Sequence, residues 1–108
     1  MQDLFFGIEP EKIQSLADRT LKEVVELRRQ IHRNPELGME EFETAARVRE
    51  YLSDLGVRVK TGVGGTGVVG LLRGAQAGRT VALRADMDAL PIEEETGASY
   101  ASQNPGKM

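Results

Sequence analysis

The protein is a chain of 108 residues with a formal net charge of −3 at pH 7 and no cysteine. This length allows one small domain, the acidic balance argues against general nucleic-acid binding, and the lack of cysteine excludes disulfides and thiolate metal sites. No apolar run approaches the roughly 18 residues of a membrane span. Because no basic and apolar leader begins the chain, we expect a cytoplasmic location.

A long amphipathic helix is predicted first. Pro10 suits the first turn of a helix, and apolar residues then recur every three or four positions as far as Ile31. Because a residue that precedes proline is disfavoured in the α region, Asn34 before Pro35 should end this helix near Arg33.

A second helix and three strands are predicted to follow. The helix should span about residues 39–55 and end at a C-terminal glycine, Gly56. Residues 57–60 alternate as in a half-exposed strand, and residues 66–73 and 80–86 have the composition of two more strands. Since the connection between the last two is short and contains glycine, we expect them to pair as an antiparallel hairpin.

The glycine-rich run at residues 62–67 has two interpretations. It fits the pattern G-x-G-x-x-G, with Asp86 near the distance expected of a ribose-binding acid, which would indicate a nucleotide-binding half-domain. That alternative is disfavoured, because residues 68–74 combine β-branched residues and glycines and would form a poor helix. We therefore expect a flexible link at the edge of the sheet.

Charged residues follow the last predicted strand. If the strand persists, Arg84, Asp86 and Asp88 share one face, since they are spaced by two. Two carboxylates at the end of a buried strand need water or a cation, which indicates a functional site. In the structural alternative, Arg84 pairs with one aspartate and the other caps the next turn. His32, the only histidine, is favoured as a structural residue over a metal ligand.

Several segments resemble, in order and spacing, the N-terminal part of a family of metal-dependent amidohydrolases. This family includes hippurate hydrolases, N-acyl-amino-acid amidohydrolases and auxin-conjugate hydrolases, within the aminoacylase–carboxypeptidase superfamily. The segments that carry the resemblance are His32-Arg33-Asn34-Pro35-Glu36-Leu37, Glu41, Thr44, Thr66-Gly67-Val68-Val69, Arg84-Ala85-Asp86-Met87-Asp88-Ala89-Leu90-Pro91 and Glu95-Thr96-Gly97.

The predicted elements and the resemblance together set the expected fold. The elements predict an α/β fold in which two amphipathic helices pack on a small mixed sheet of about three strands. The resemblance implies that this is the first part of a phosphorylase/hydrolase-like metallopeptidase catalytic domain. Residues 1–108 would then be an incomplete N-terminal portion of a single catalytic domain.

The resemblance also implies a chemistry. Family members hydrolyse the amide bond of an N-acyl amino acid, with a divalent metal (Zn or Mn) and a glutamate as general base. By position, Asp88 takes the role of an aspartate that orients a metal ligand, where related peptidases carry His-x-Asp. Asp86 replaces that histidine and is not assigned as a ligand. Arg84, Asp86 and His32 are expected to support the site.

The resemblance places the metal ligands elsewhere. Family members continue past the equivalent of Met108 into His-Ala-Cys-Gly-His-Asp, which supplies ligands. We therefore expect no metal ligand in these residues, no metal bound by this chain alone, and no activity of the chain by itself. The expected partner of the full-length enzyme is a small N-acyl amino acid, with neither nucleic acid nor membrane. The alternative is a stand-alone, non-catalytic α/β interaction module.

Overall fold

The computed structural model describes residues 7–108 and contains two helices followed by two strands. Helix α1 spans Pro10–Arg33, α2 spans Phe42–Asp54, β1 spans Arg58–Val63 and β2 spans Gly67–Leu71. This order confirms the predicted α/β class. Residues 1–6, on which the expectation of no leader rests, lie outside the described residues. From residue 7 onward, neither helix has the length and apolar character needed to cross a membrane.

Helix α1 has the predicted bounds. Pro10 stands in its first turn, and the helix ends at Arg33, before Asn34 leaves the helical conformation. Its charges suit the helix dipole, because Glu11 lies in the first turn and His32 and Arg33 lie in the last. No residue of α1 is buried, although its apolar residues recur with helical spacing.

Helix α2 starts three residues later than the sequence predicts. The cause lies at Met39, which has a φ of 68° and so cannot begin a right-handed helix. At the other end the expected glycine is confirmed: Gly56 has a φ of 79°, and its amide donates to the carbonyl of Ser53 at 2.9 Å. The amide of Val57 donates to the carbonyl of Leu52, so the chain turns directly from α2 into β1.

The hairpin forms between β1 and β2, and not between the two later segments that the sequence predicts. The strands are antiparallel, with Lys60 opposite Val69, and the register shifts before Val63 pairs with Gly67. Gly64 and Gly65 form the connection with φ values of 63° and 110°, a conformation that favours glycine. The glycine run is therefore the hairpin turn, which corrects the expectation of a flexible link at the sheet edge.

The predicted third strand, residues 80–86, is not formed. These residues have no regular secondary structure, and the side chains of Val81 and Leu83 are 84% and 97% exposed. A strand is stable only when a neighbour pairs with it and buries its apolar side chains, and here neither occurs. Instead of a mixed sheet of three strands, the described chain has a two-stranded antiparallel sheet and one parallel bridge, between Leu37 and Ala89.

The tertiary packing is sparse. Helix α2 packs against both strands, whereas α1 makes no comparably extensive contact with the sheet. Over residues 7–108 no hydrophobic side chain is buried, and the buried residues are Pro35, Glu41, Thr44 and Thr66. The radius of gyration is 17.0 Å, larger than the about 13 Å expected of a compact domain of this length. The described chain thus lacks an apolar core of its own.

Candidate functional site

The turn between α1 and α2, residues 34–38, is where distant parts of the chain meet. The backbone amide of Ala89 donates to the carbonyl of Glu36 at 2.8 Å. The backbone amide of Gln103 donates to the carbonyl of Arg33, also at 2.8 Å. The side-chain amide of Asn104 donates to the carbonyl of Pro35 at 3.0 Å. The C-terminal segment of the chain is therefore fastened to this turn by backbone carbonyls.

Glu36 caps the N-terminus of α2. Its carboxylate accepts hydrogen bonds from the amide of Glu43 at 3.0 Å and from the amide and hydroxyl of Thr44, both at 2.6 Å. These amides belong to the first turn of α2 and have no partner within the helix. Partial burial, the largest single influence, opposes ionisation of Glu36, but the hydrogen bonds together outweigh it and lower its pKa. Glu36 thus holds the turn and α2 together.

Glu41 connects α2 to the hairpin. It is 7% exposed, and its carboxylate accepts a hydrogen bond from the hydroxyl of Thr66, which is 9% exposed. That hydrogen bond is the main reason that the pKa of Glu41 lies below its ordinary value, with backbone hydrogen bonds adding to the effect. A buried carboxylate with a hydroxyl partner fixes the hairpin turn beside the start of α2.

Glu94 makes a third carboxylate contact, at the end of α1. It lies 2.7 Å from Nε2 of His32 and accepts hydrogen bonds from the amide of Ser102 at 2.9 Å and from the hydroxyl of Thr96. The pKa of Glu94 is lowered chiefly by the Thr96 hydroxyl, then by the Ser102 amide, with His32 contributing less. The His32 ring also meets the edge of Tyr100, 5.6 Å between centroids. His32 is therefore in contact with both Glu94 and Tyr100.

The residues predicted for the site are not gathered into one cluster. Arg84 and Asp86 form an ion pair of 3.1 Å, with side chains 90% and 69% exposed. Asp88 lies instead against the turn, since a β-carbon at Gly38 would stand 3.7 Å from its carboxylate. His32 is engaged with Glu94. In the part of the chain that the structure describes, no hydrogen bond or ion pair joins Asp88 to the other three. The roles assigned to all four stay predictions.

From residue 7 to residue 108, no three His, Cys, Asp or Glu side chains are placed to hold a metal ion together. The carboxylate of Glu36 accepts hydrogen bonds from the amide and hydroxyl of Thr44, and that of Glu41 accepts one from the hydroxyl of Thr66. The hydrogen bonds of Glu36 and Glu41 hold segments of the described chain together.

The conformation of the glycine run, residues 62–67, also disfavours the nucleotide-binding alternative. A dinucleotide fingerprint needs a helix to begin after its third glycine, so that the helix N-terminus can face the pyrophosphate. Here the third glycine, Gly67, begins strand β2. The geometry therefore gives this alternative no phosphate-binding helix.

Three carboxylates that organise the structure, Glu36, Glu41 and Glu94, were not predicted as such. Glu36 and Glu41 belong to the segments that resemble the amidohydrolases, but their residue type alone does not predict a role for them. Their partners lie 8, 25 and 62 positions away in the chain, at Thr44, Thr66 and His32. The one available signal was a carboxylate shortly before a predicted helix, which favours capping.

Comparison with known proteins shows similarity over most of the chain, although no family model matches it. It is 45% identical over 98 residues to an N-acyl-L-amino acid amidohydrolase of Geobacillus stearothermophilus, covering 91% of this chain and 26% of that protein. It is 48% identical over 101 residues to the IAA-amino acid hydrolase ILR1-like 5 of Arabidopsis thaliana, covering 92% of this chain and 23% of that protein.

A solved structure is similar in fold as well as in sequence. The Bacillus subtilis YxeP protein, described as a dinuclear metal binding peptidase of the M20 family, matches with a TM-score of 0.76 and 35% identity over 81% of this chain and 25% of that one. The chain spans about a quarter of the length of the relatives it matches. By sequence and by fold, it is therefore similar to one region of these amidohydrolases and of this M20-family peptidase.

Proposed function

We propose that this chain is the N-terminal portion of a single catalytic domain, in a protein that hydrolyses the amide bond of N-acyl amino acids. The observation that carries the proposal is the 45% identity to the N-acyl-L-amino acid amidohydrolase, because it extends over 91% of this chain. The similarity to a dinuclear metal binding peptidase supports a requirement for divalent metal, which we propose to be Zn or Mn.

This chain would supply support and not metal ligands. No cluster of ligating side chains occurs across residues 7–108, and the acidic groups at the turn are committed to hydrogen bonds within the chain. The metal ligands and the glutamate base would then be contributed by other parts of the protein. The 108-residue chain alone is accordingly proposed to be inactive.

Asp88 is the residue that we propose to act on the reaction centre, by orienting a neighbouring ligand. Its support is visible in the backbone: the next residue, Ala89, donates its amide to Glu36, and Gly38 leaves room beside the Asp88 carboxylate. An aspartate that orients another group needs a fixed backbone, and the turn provides it.

The other predicted residues would act less directly. Arg84 offsets the charge of Asp86, which lies two residues before Asp88. His32 holds Glu94, which in turn binds the amide of Ser102 and so keeps the C-terminal segment close to α1. A small N-acyl amino acid as sole partner, with neither nucleic acid nor membrane, and a cytoplasmic location belong to the same proposal.

A graft tests the proposal. Residues 7–108 would replace the matching quarter of the Geobacillus amidohydrolase, and the purified hybrid would be assayed on N-acetyl amino acids with Zn or Mn. We expect hydrolysis that needs the metal, because the grafted segment supplies the same supports. A hybrid that folds and binds metal as the parent enzyme does, yet hydrolyses nothing, would refute the proposal; the ungrafted parent is the positive control.

The 108-residue chain, purified by itself, distinguishes the interaction-module alternative. A self-standing module should unfold in one cooperative thermal transition when the 108 residues are studied alone. Because no hydrophobic side chain is buried in residues 7–108, we expect a broad and weakly cooperative transition instead. Titration with NAD or FAD should give no calorimetric signal, since the glycine run forms a hairpin turn.

A further inference from the structure

The carboxylate of Glu94 is enclosed by contacts within this chain. Its side chain is 5% exposed, whereas its two neighbours in the sequence are exposed. One oxygen, Oε1, lies 2.7 Å from Nε2 of His32 and accepts a hydrogen bond from the amide of Ser102 at 2.9 Å. The other oxygen accepts from the hydroxyl of Thr96. Three groups from two parts of the chain therefore converge on one buried carboxylate.

Glu94 lies inside a loop that is closed at its base. The amide of Leu90 donates to the carbonyl of Met108 at 2.8 Å, and the amide of Met108 donates back to the carbonyl of Leu90 at 3.0 Å. Within the loop, the hydroxyl of Ser102 accepts from the amide of Asn104 at 3.1 Å and donates to its carbonyl at 3.0 Å. Glu94 thus organises the interior of the loop, and the Leu90–Met108 pair holds its two ends together.

Asp88 stands at the base of this loop, two residues before Leu90. Between them, Ala89 donates its amide to the carbonyl of Glu36 at 2.8 Å and forms a parallel bridge with Leu37. The backbone that follows Asp88 is therefore fixed both by the turn after α1 and by the closed loop. A side chain that orients another group must be held within about 0.5 Å of its working position. A change in the loop that moves Leu90 would therefore move Asp88 as well.

The last turns of α1 supply the rigid side of the Glu94 contact. The ring of His32 meets the edge of Tyr100, with 5.6 Å between the centroids, and the guanidinium of Arg29 lies 4.6 Å from the centroid of the same Tyr100 ring. Both His32 and Arg29 belong to α1. Because groups on a helix are held more precisely than groups on a loop, the contact with His32 fixes the position of Glu94.

We propose that Glu94 is a positioning residue for Asp88, and that it acts through the closed loop of residues 90–108. This inference rests on the proposed function, because it explains how Asp88 would be held in the role given to it there. In this arrangement Glu94 touches neither substrate nor metal. Its hydrogen bonds keep the loop in shape, and the loop keeps the backbone beside Asp88 in place.

A double-mutant cycle in the grafted amidohydrolase tests this inference. Glu94→Ala removes all three contacts, and we expect kcat to fall roughly tenfold while KM stays the same. In a graft that already carries Asp88→Ala, the same change should cost nothing further, because Glu94 acts through Asp88. A general weakening of the structure would instead lower kcat by the same factor in both backgrounds, and that result would overturn the proposal.

Three further variants complete the cycle. Glu94→Gln keeps an oxygen that can accept from His32 and Ser102, so it should restore most of the rate. Glu95→Gln changes the neighbouring, exposed carboxylate and should hydrolyse as fast as the graft itself. If circular dichroism shows that Glu94→Ala does not fold, His32→Ala takes its place in the cycle, since it removes only one of the three contacts.

Hydrogen exchange followed by mass spectrometry gives a readout that does not depend on activity. Glu94→Ala should speed exchange at the amides of Leu90 and Met108, while β1 and β2 exchange as before. Unchanged exchange at both amides overturns the proposal even if the rate of hydrolysis falls. An inactive graft of natural sequence refutes the proposed function, whereas an active graft without coupling between Glu94 and Asp88 refutes this inference alone.

Discussion

Glu36 and Thr44 are joined by two hydrogen bonds of 2.6 Å, because one carboxylate oxygen accepts from both the amide and the hydroxyl of Thr44. The same Glu36 offers its backbone carbonyl to the amide of Ala89. One residue therefore caps α2 through its side chain and anchors the segment beside Asp88 through its main chain.

The first prediction concerns this cap. Replacing Glu36 by Ala leaves the first amides of α2 without their acceptor, and we expect a loss of about 1 kcal/mol of helix stability. Urea titration followed by circular dichroism measures the loss. Glu40→Ala removes a nearby exposed carboxylate that makes no side-chain hydrogen bond with the described residues; if it costs as much as Glu36→Ala, the cap is not responsible.

The second prediction concerns pH. The pKa values of Glu36, Glu41 and Glu94 are all lowered from the ordinary value of 4.5 in the folded chain. A carboxyl with a depressed pKa contributes stability above its unfolded pKa, and this contribution disappears as the pH falls through the folded pKa. Helical content should therefore hold from neutral pH down to about 5 and decline below pH 4.5. Helicity that rises on acidification would contradict this.

The third prediction concerns the buried contact between α2 and the hairpin. Thr66→Val keeps the shape of the side chain but removes the hydroxyl that bonds Glu41. Since that hydroxyl is the main cause of the lowered pKa, the pKa of Glu41 should rise toward its ordinary value. A titration followed by NMR of the carboxyl groups measures the pKa of Glu41 directly. Thr61→Val, at an exposed position of β1, is the control and should leave the pKa of Glu41 unchanged.

The fourth prediction concerns Asp88 in the grafted enzyme. If its role is to orient a ligand, Asp88→Ala should reduce the hydrolysis rate about 10- to 100-fold, while the circular dichroism spectrum stays the same because the side chain is exposed. Asp54→Ala, at the end of α2, is the matched control and should hydrolyse as fast as the graft itself. Equal activity in both variants would remove Asp88 from the mechanism.

The sequence predicted the helices well because their ends are local features. Pro10, the Asn34–Pro35 pair and Gly56 act within a few residues, so the bounds of α1 and the end of α2 could be read directly. The start of α2 was misplaced because the left-handed backbone of Met39 is not specified by its residue type.

The sheet and the carboxylate contacts could not be read in the same way. Val81 and Leu83 have the composition of a strand, but a strand exists only where a partner lies, and composition does not reveal partners. Likewise, the contact between His32 and Glu94 joins residues 62 positions apart. The resemblance indicated the amidohydrolases as relatives, whereas the hydrogen-bond partners of Glu36, Glu41 and Glu94 could be identified only from the structure.

The most direct measurement is the rate at which the grafted amidohydrolase, carrying residues 7–108 of this chain, hydrolyses an N-acetyl amino acid before and after metal is removed by a chelator. We predict hydrolysis that stops on chelation and returns when Zn or Mn is added back. A folded, metal-loaded graft with no hydrolysis would contradict the assignment of this chain to an amidohydrolase domain.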